Sequence, residues 1–137
     1  MDEHFVGTVA QKAIIDRGDG RVLITRDERD PDAWELPGGR LHKDEDPKDG
    51  LVREVREELG IEIIVRAPIA ATQFLHVREQ VTALLITWAA ALVGSPDEVV
   101  PRGGEVAEVD WVGADELEKR PLFPEYHGVL TSYFMRL

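Results

Sequence analysis

The stretch GRLHKDEDPKDGLVREVREELGI, residues 39–61, decides the fold of this chain. Asp46 is suited to cap a helix, because its carboxylate can accept from the free N–H groups of the first turn. Pro47 suits the first helical position, and Gly60 favours a left-handed helix end. The pattern therefore predicts a helix over 47–59.

On a helical wheel at about 100° per residue, this segment has one apolar stripe, formed by Leu51, Val52, Val55 and Leu59. Beside the stripe lies an acidic arc, formed by Glu54, Glu57 and Glu58. Carboxylates three and four residues apart are neighbours on a helix and repel each other. A hard divalent cation would offset that repulsion, because Mg²⁺ and Mn²⁺ prefer oxygen ligands. The wheel leaves open the alternative of a solvated face with an Arg53–Glu57 ion pair.

The order of residues around the helix is more specific than the wheel. Gly39 is followed after five residues by Glu45, and after seven more by REVREELGI, residues 53–61. This order matches every defined position of the Nudix box, Gly-x5-Glu-x7-Arg-Glu-apolar-x-Glu-Glu-x-Gly-apolar. The lead-in WELPGG, residues 34–39, and a later predicted strand with Trp111 also resemble the family's usual segments. The chain thus resembles the Nudix hydrolase family.

The resemblance implies an α/β (α+β) fold, a Nudix-type α/β/α sandwich with a mixed β-sheet, as one domain over residues 1–137. It also implies hydrolysis of a pyrophosphate bond in a nucleoside diphosphate linked to another moiety. The implied cofactor is Mg²⁺, with Mn²⁺ as a substitute. Divalent ions between a pyrophosphate and an acidic helix neutralise charge, polarise a phosphoryl oxygen and acidify a bound water.

By the same resemblance, the expected metal ligands are Glu54, Glu57, Glu58 and the backbone carbonyl of Gly39. Expected catalytic residues are Glu57, Arg53 and Glu45. Arg53 is expected to orient a glutamate through a charge-assisted hydrogen bond, and Glu45 to support the site from the loop. A surface ion pair is the alternative for Glu45. The general base stays open between a box glutamate and the later Glu105 and Glu108.

Three residues outside the box are candidates for substrate binding: Arg26, Trp34 and Glu108. Arg26 ends a predicted strand, where the family often places a phosphate contact. Trp34 can stack on a base or serve in packing. Glu108, like Glu105, has an ordinary surface acid as its alternative.

Substrate choice in the family depends on residues outside the box. ADP-ribose-type members carry a proline soon after the box, where this chain has His76. Dinucleoside-polyphosphate-type members carry a tyrosine slightly further on, where it has Val77 and Arg78. Elimination favours a nucleoside triphosphate, an oxidised one included. The alternative function is a non-catalytic nucleotide-sensing Nudix module that regulates a partner, although such modules usually lose box acids.

Composition excludes several other classes. The 137 residues are 43% hydrophobic, enough for one core, and 16 Lys+Arg against 27 Asp+Glu give a net charge of −11. That balance disfavours a nucleic-acid partner, which needs concentrated positive charge. The absence of cysteine removes thiolate nucleophiles and thiolate metal sites. The acidic start and the short apolar run 81–93 indicate no signal peptide and no membrane partner, hence a cytoplasmic protein.

The remaining pattern predicts a sheet. Residues 6–15 and 22–25 are expected to pair as a hairpin, and an extended piece at 34–36 should end at Pro37-Gly38-Gly39. Further strands are expected at 61–65, 69–74, 80–93 and 107–112, with Pro68 separating the first two. A helix is the alternative for 80–93, although Thr82, Ile86 and Thr87 favour a strand. A short helix is expected at 114–119 and an amphipathic helix at the end of the chain. A homodimer stays open, with 81–93 as a central strand or partly a dimer surface.

Overall fold

The structure is a computed structural model that describes residues 3–30, 32–76, 79–102 and 105–137. Val77 and Arg78, which stand where dinucleoside-polyphosphate-type members carry a tyrosine, lie outside these residues. The strands are β1 (Thr8–Asp16), β2 (Val22–Asp27), β3 (Trp34–Glu35), β4 (Gly38–Arg40), β5 (Glu62–His76), β6 (Val81–Val93) and β7 (Val106–Val112). The α-helices are α1 (Pro47–Leu59) and α2 (Pro124–Met135), and short 3-10 helices cover Pro96–Glu98 and Ala114–Lys119.

The described strands form one mixed sheet. β6 is parallel to β1 on one side and antiparallel to β5 on the other. The second side of β1 is shared, since Asp16 pairs with Val22 of β2 whereas Gln11 pairs with Gly39 of β4. Meanwhile β3 pairs with β2, which also pairs with β7. The sheet therefore splits into two branches, one with β3 and β7 beside β2 and the other with β4 beside β1. Residues 34–40 form a corner that runs from the first branch to the second.

Helix α1 covers Pro47–Leu59, as the sequence predicts. The carboxylate of Asp46 accepts a hydrogen bond from the Asp49 N–H at 3.2 Å. Gly60 has a φ of 68°, and its N–H donates to the Arg56 carbonyl at 2.9 Å. Both ends of the helix are thus closed by the residues that the pattern indicates.

The two helices cover opposite faces of the sheet. Side chains alternate along a strand, so Ile15 joins the core under α1 while Ile14 joins the core under α2. The first core buries the predicted apolar stripe completely at Leu51, Val55 and Leu59. The second core contains Tyr126 and Leu130 of α2. This arrangement confirms the predicted α/β/α sandwich with a mixed sheet.

Two details differ from the sequence predictions. Residues 62–65 and 69–74 belong to one strand, β5, so the prediction of two strands separated by Pro68 is wrong. The pairing of β5 with β6 shifts register on both sides of Pro68, which places the residue without an N–H in an irregular part of the ladder. The sequence also does not predict β4, because Pro37-Gly38-Gly39 is typical of a turn; here Gly38 pairs with Lys12.

The apolar run at 81–93 is a strand, as its threonine and isoleucine content favours. Both of its edges are occupied, by β1 and by β5. The central-strand alternative is confirmed, and a homodimer stays a prediction. Within the described part of the chain, no helix is long and apolar enough to cross a bilayer.

Gly38 offers a test of the close contact between β4 and β1. Its φ is 142°, and an added Cβ would lie 2.0 Å from the Gln11 carbonyl oxygen. We expect Gly38→Ala to lower the free energy of unfolding by about 3 kcal/mol, because a strand backbone cannot move aside as a side chain can. Gly18→Ala is the matched control, because its φ of 107° is also positive but nothing lies within 4 Å of the added Cβ. Urea unfolding followed by circular dichroism measures both losses, and equal losses would contradict the clash.

Candidate active site

The three carboxylates of the acidic arc on α1 differ in their surroundings. The side chain of Glu54 is 18% exposed, whereas that of Glu57 is 60% exposed. Glu58 is half-buried, on the turn next to the buried stripe. The arc is therefore a graded surface, with Glu54 and Glu58 sheltered and Glu57 open to solvent.

The backbone of β4 lies directly against Glu54. A Cβ added to Gly39 would be 2.6 Å from Oε2 of Glu54 and 3.1 Å from its Oε1. Any side chain at this position would displace the carboxylate. The missing side chain thus lets a backbone strand and a helix carboxylate approach each other at one point.

Arg53 connects the carboxylates of the loop and the helix. It donates to Glu45 from Nε at 2.6 Å and from one terminal nitrogen at 3.1 Å. It also donates to Glu54 at 3.1 Å and to Glu57 at 3.2 Å. The structure therefore brings the three predicted catalytic residues together, with the Arg53–Glu57 ion pair of the alternative interpretation among the contacts. Their catalytic roles stay predictions.

Glu45 is held by Arg53 and by the backbone. The Arg53 hydrogen bond and the His42 N–H, which donates at 3.1 Å, lower the pKa of Glu45 to about 2. Glu45 also lies over Gly50, where an added Cβ would be 2.7 Å from Oε1. The absence of a side chain at Gly50, near the start of α1, thus leaves room for the Glu45 carboxylate beside the helix.

The lowered pKa of Glu45 predicts that the fold loses stability in acid. A carboxyl whose pKa falls from 4.5 to about 2 on folding stabilises the fold fully above pH 4.5. That contribution is lost as the pH falls from 4.5 toward about 2, because a proton then competes with Arg53. We expect the Tm to drop more between about pH 6 and about pH 3 in the wild-type protein than in Glu45→Gln. Equal drops would argue against a stabilising Glu45–Arg53 pair.

Glu58 has the opposite shift. Burial raises its pKa to about 8, and the charges of Glu54, Glu35 and Glu105 act in the same direction. The positive charge of Lys12 acts against them. A divalent cation beside Glu58 would restore the ionised form, because an adjacent positive charge stabilises a carboxylate.

Sequence reasoning missed two buried polar residues of β1. Gln11 donates to the Pro47 carbonyl at 2.8 Å and accepts from the Trp88 indole at 3.0 Å, so it ties the start of α1 to the sheet. Lys12 is 7% exposed, and its ammonium lies 3.2 Å from Oε1 of Glu35. The signal was a polar pair inside the otherwise apolar run that predicts β1.

Arg26 and Glu108 contact each other across the β2–β7 ladder. Nε of Arg26 donates to Oε1 of Glu108 at 2.8 Å, and the two residues are register partners. Arg26 also pairs with Trp34 on the other edge of β2. Trp34 is 8% exposed and belongs to the core under α2, as expected if it serves in packing. Of the two later glutamates, Glu105 is the one whose charge acts on Glu58.

A hard divalent metal ion needs several oxygen donors close together. In residues 3–30, 32–76, 79–102 and 105–137, no three His, Cys, Asp or Glu side chains are gathered as a metal centre. Glu54, against which the Gly39 backbone lies, and Glu58, four residues further along α1, are carboxylate donors of the type that hard cations prefer. Glu57 would join them on leaving Arg53. The chemistry of the residues therefore fits the expected ion.

Comparison with known proteins identifies the family of this chain. A family model of the NUDIX domain matches residues 8–134. A MutT-like protein of Streptomyces ambofaciens is 32% identical over 119 residues, which are 82% of this chain and 68% of that protein. The CTP pyrophosphohydrolase of Escherichia coli K12 is 44% identical over 64 residues, 44% of this chain and 47% of that protein.

Solved structures of known proteins also resemble this fold. The solution structure of the E. coli ORF135 protein has a TM-score of 0.76 and 29% identity, and the match covers 93% of this chain and 89% of that one. The family model includes all the strands and nearly all of α2. On these matches and on the Gly39–Ile61 box, the chain belongs to the Nudix hydrolase family.

Proposed function

We propose that this chain hydrolyses a pyrophosphate bond of a nucleoside triphosphate, an oxidised one included, with Mg²⁺ or Mn²⁺ as cofactor. The observation that carries the proposal is the contact between the Gly39 backbone and the Glu54 carboxylate, next to half-buried Glu58. A pyrophosphate would be repelled by this acidic surface unless positive charge lay between them. The site is therefore suited to a substrate that arrives with a divalent ion.

Glu54, Glu58 and the Gly39 carbonyl would hold the ion, and Glu57 would either complete the set or serve as the base for water. When bound, the ion polarises a phosphoryl oxygen and makes a bound water more acidic. Arg53 restricts the rotation of the Glu54 and Glu57 side chains, because it donates to both and is itself held by Glu45. This chain's contribution is thus the orientation of oxygen donors before the substrate arrives.

The proton of the attacking water needs an acceptor. Glu57 is the most exposed of the box carboxylates and can exchange that proton with solvent. Glu105 is the second candidate, because its charge acts on Glu58 while its own side chain is 65% exposed and pairs with Arg29. The water oxygen bonds to one phosphorus of the pyrophosphate. The bridging oxygen leaves that phosphorus, on the other phosphate group, with the electron pair of the broken bond.

The triphosphate assignment has two supports. One matched relative is named a CTP pyrophosphohydrolase, and CTP is a nucleoside triphosphate. The net charge of −11 also disfavours a polynucleotide, whose extended backbone would need a basic surface.

Turnover on a substrate panel tests the proposal. The panel contains nucleoside triphosphates, oxidised triphosphates, ADP-ribose, nucleotide sugars and dinucleoside polyphosphates, each with and without Mg²⁺ or Mn²⁺. We expect metal-dependent release of a nucleoside monophosphate and pyrophosphate from a triphosphate, and its loss in Glu57→Gln. Hydrolysis in ¹⁸O-labelled water identifies the phosphorus that is attacked. A better substrate from another class would overturn the triphosphate assignment and keep the hydrolase.

The nucleotide-sensing module makes the contrary prediction. It requires tight nucleotide binding with no turnover on any panel member at any metal concentration. Calorimetric titration with the same nucleotides in the absence of hydrolysis would identify that outcome.

A further inference from the structure

A charged lysine lies in the core at the point where the sheet divides. Lys12 is 7% exposed, and its neighbours on β1 include fully buried Ala13 and nearly fully buried Ile14. Taking an ammonium out of water is costly unless opposite charge and hydrogen-bond acceptors surround it. The pKa of Lys12 is nevertheless raised above its ordinary value, because Tyr126, Glu35 and Glu58 act against the effect of burial. The residue is therefore a fixed positive charge inside the fold.

The contacts of this ammonium join both arms of the corner formed by residues 34–40. Nζ of Lys12 lies 3.2 Å from Oε1 of Glu35 on β3 and 3.5 Å from the Gly38 carbonyl oxygen on β4. On its other side it faces the ring of Tyr126 on α2, whose centre is 5.8 Å away. One side chain thus connects β1 with both short strands that cross the division of the sheet.

The next residue of that corner is the one that meets the box helix. Gly39 follows Gly38 directly, and its backbone lies against the carboxylate of Glu54. The Ala13 N–H donates to the Pro37 carbonyl at 2.9 Å, which holds the middle of the corner. A displacement at Glu35 or Gly38 would therefore be transmitted to the position of Gly39.

We propose that Lys12 is a positioning residue of the hydrolase site, which holds the β3–β4 corner so that the Gly39 backbone faces Glu54. The inference rests on the proposed function for its kinetic consequence, whereas its geometric consequence stands without it. Lys12 acts through Glu35 and Gly38 and does not itself touch the reacting atoms.

Loss of the ammonium would leave the carboxylate of Glu35 without its cation. Lys12 is the only cation that contacts Glu35 among the residues the structure describes. Without Lys12, Glu35, whose side chain is 24% exposed, would be an unpaired and partly buried carboxylate. It would regain contact with water by moving the corner outward. Removing the charge of Glu35 as well should then return the corner to its place.

Three variants test the proposal: Lys12→Met, the double variant Lys12→Met with Glu35→Gln, and Lys119→Met as a control. Methionine keeps the unbranched stem of lysine, and Lys119 is an exposed residue of the second 3-10 helix, so its variant loses the same charge elsewhere. Circular dichroism first establishes that each variant is folded. If Lys12→Met alone does not fold, the double variant still decides, because the proposal requires it to fold and to retain the wild-type contact.

The first readout is the nuclear Overhauser effect between the Gly39 Hα and Glu54 Hγ protons, measured without metal or substrate. We expect it to weaken at least two-fold in Lys12→Met and to recover in the double variant and in the control. An effect unchanged in Lys12→Met, or weakened equally in the double variant, overturns the proposal. This readout needs no activity, so it separates a failure of the inference from a failure of the proposed hydrolase function.

The second readout is kinetic. We expect Lys12→Met to lower kcat on the best triphosphate about 100-fold with KM changed less than about three-fold, since small misplacements at a catalytic centre reduce turnover strongly. The double variant should regain at least about ten-fold of that loss, a non-additive result expected of residues that act as a unit. Equal kcat in Lys12→Met and Lys119→Met, or additive losses in the double variant, would overturn the positioning role.

Discussion

Glu58→Gln is expected to lower kcat about a thousand-fold on any substrate that the chain turns over. The substitution keeps the size of the side chain but removes one charged oxygen donor from the sheltered end of the acidic arc. Glu57→Gln should act in the same direction, because it removes the carboxylate proposed to accept the proton of water. Steady-state kinetics at saturating Mg²⁺ measures both losses, and full turnover in the two variants would contradict the assigned site.

The same substitution at Glu58 should not weaken the fold. A carboxyl whose pKa rises from 4.5 to about 8 on folding makes the fold less stable as the pH rises between those values. Glutamine resembles the protonated form and avoids that loss. We therefore expect the metal-free variant to have a higher Tm than the wild-type protein, by a margin that grows between about pH 5 and about pH 8.

A control separates the loss of this particular donor from the loss of a negative charge. Glu118, whose side chain is 83% exposed, lies in the second 3-10 helix, so Glu118→Gln removes the same charge at the surface. Its kcat and its pH-dependence of Tm should match those of the wild-type protein. A loss of activity in Glu118→Gln as large as in Glu58→Gln would show that net charge, rather than ligand position, controls turnover.

Leu51→Asp is expected to unfold the domain. Leu51 is completely buried between α1 and the sheet. An unpaired carboxylate there costs more than about 4 kcal/mol, which is comparable with the whole stability of many small domains. The far-ultraviolet circular dichroism spectrum of the purified variant should be that of an unfolded chain at 37 °C.

Two further variants on the same helix grade this effect. Leu51→Ala should cost about 2–5 kcal/mol and remain folded at low temperature, because it leaves a cavity rather than a buried charge. Lys48→Asp places the same new carboxylate on the exposed side of the first helical turn, where the helix dipole favours it. A folded Leu51→Asp variant with the stability of Lys48→Asp would overturn the assignment of the buried stripe.

The sequence predicts α1 nearly completely because its information is local. The cap at Asp46, the left-handed end at Gly60 and the stripe headed by Leu51 are each set by spacing along one helix. The Nudix box then predicts which side chains of that helix belong together. For the same reason the contacts of Arg53 with Glu45 and Glu57 could be expected, since all three lie on one loop and one helix.

The features that the sequence does not predict depend on pairing between distant segments. β4 exists because Gly38 and Gly39 find partners on β1, and the local pattern of these residues indicates only a turn. In the sequence, Lys12 is only a charged residue within an apolar strand. In the fold, β3 and β4 bring Glu35 and the Gly38 carbonyl to it. Pro68 indicates a break when read alone, but the long ladder with β6 continues past it.

The irregularity at Pro68 also affects the outer edge of the sheet. β5 runs from Glu62 to His76 at an outer edge of the sheet, with no further strand beyond it among the described residues. A straight edge of that length would offer a continuous row of free N–H and C=O groups to a second chain. Proline and the two register shifts divide that row into two short segments, which are poorer templates for strand addition. The same proline that suggests a break in the sequence thus makes this edge of the sheet a poorer site for pairing with a second chain.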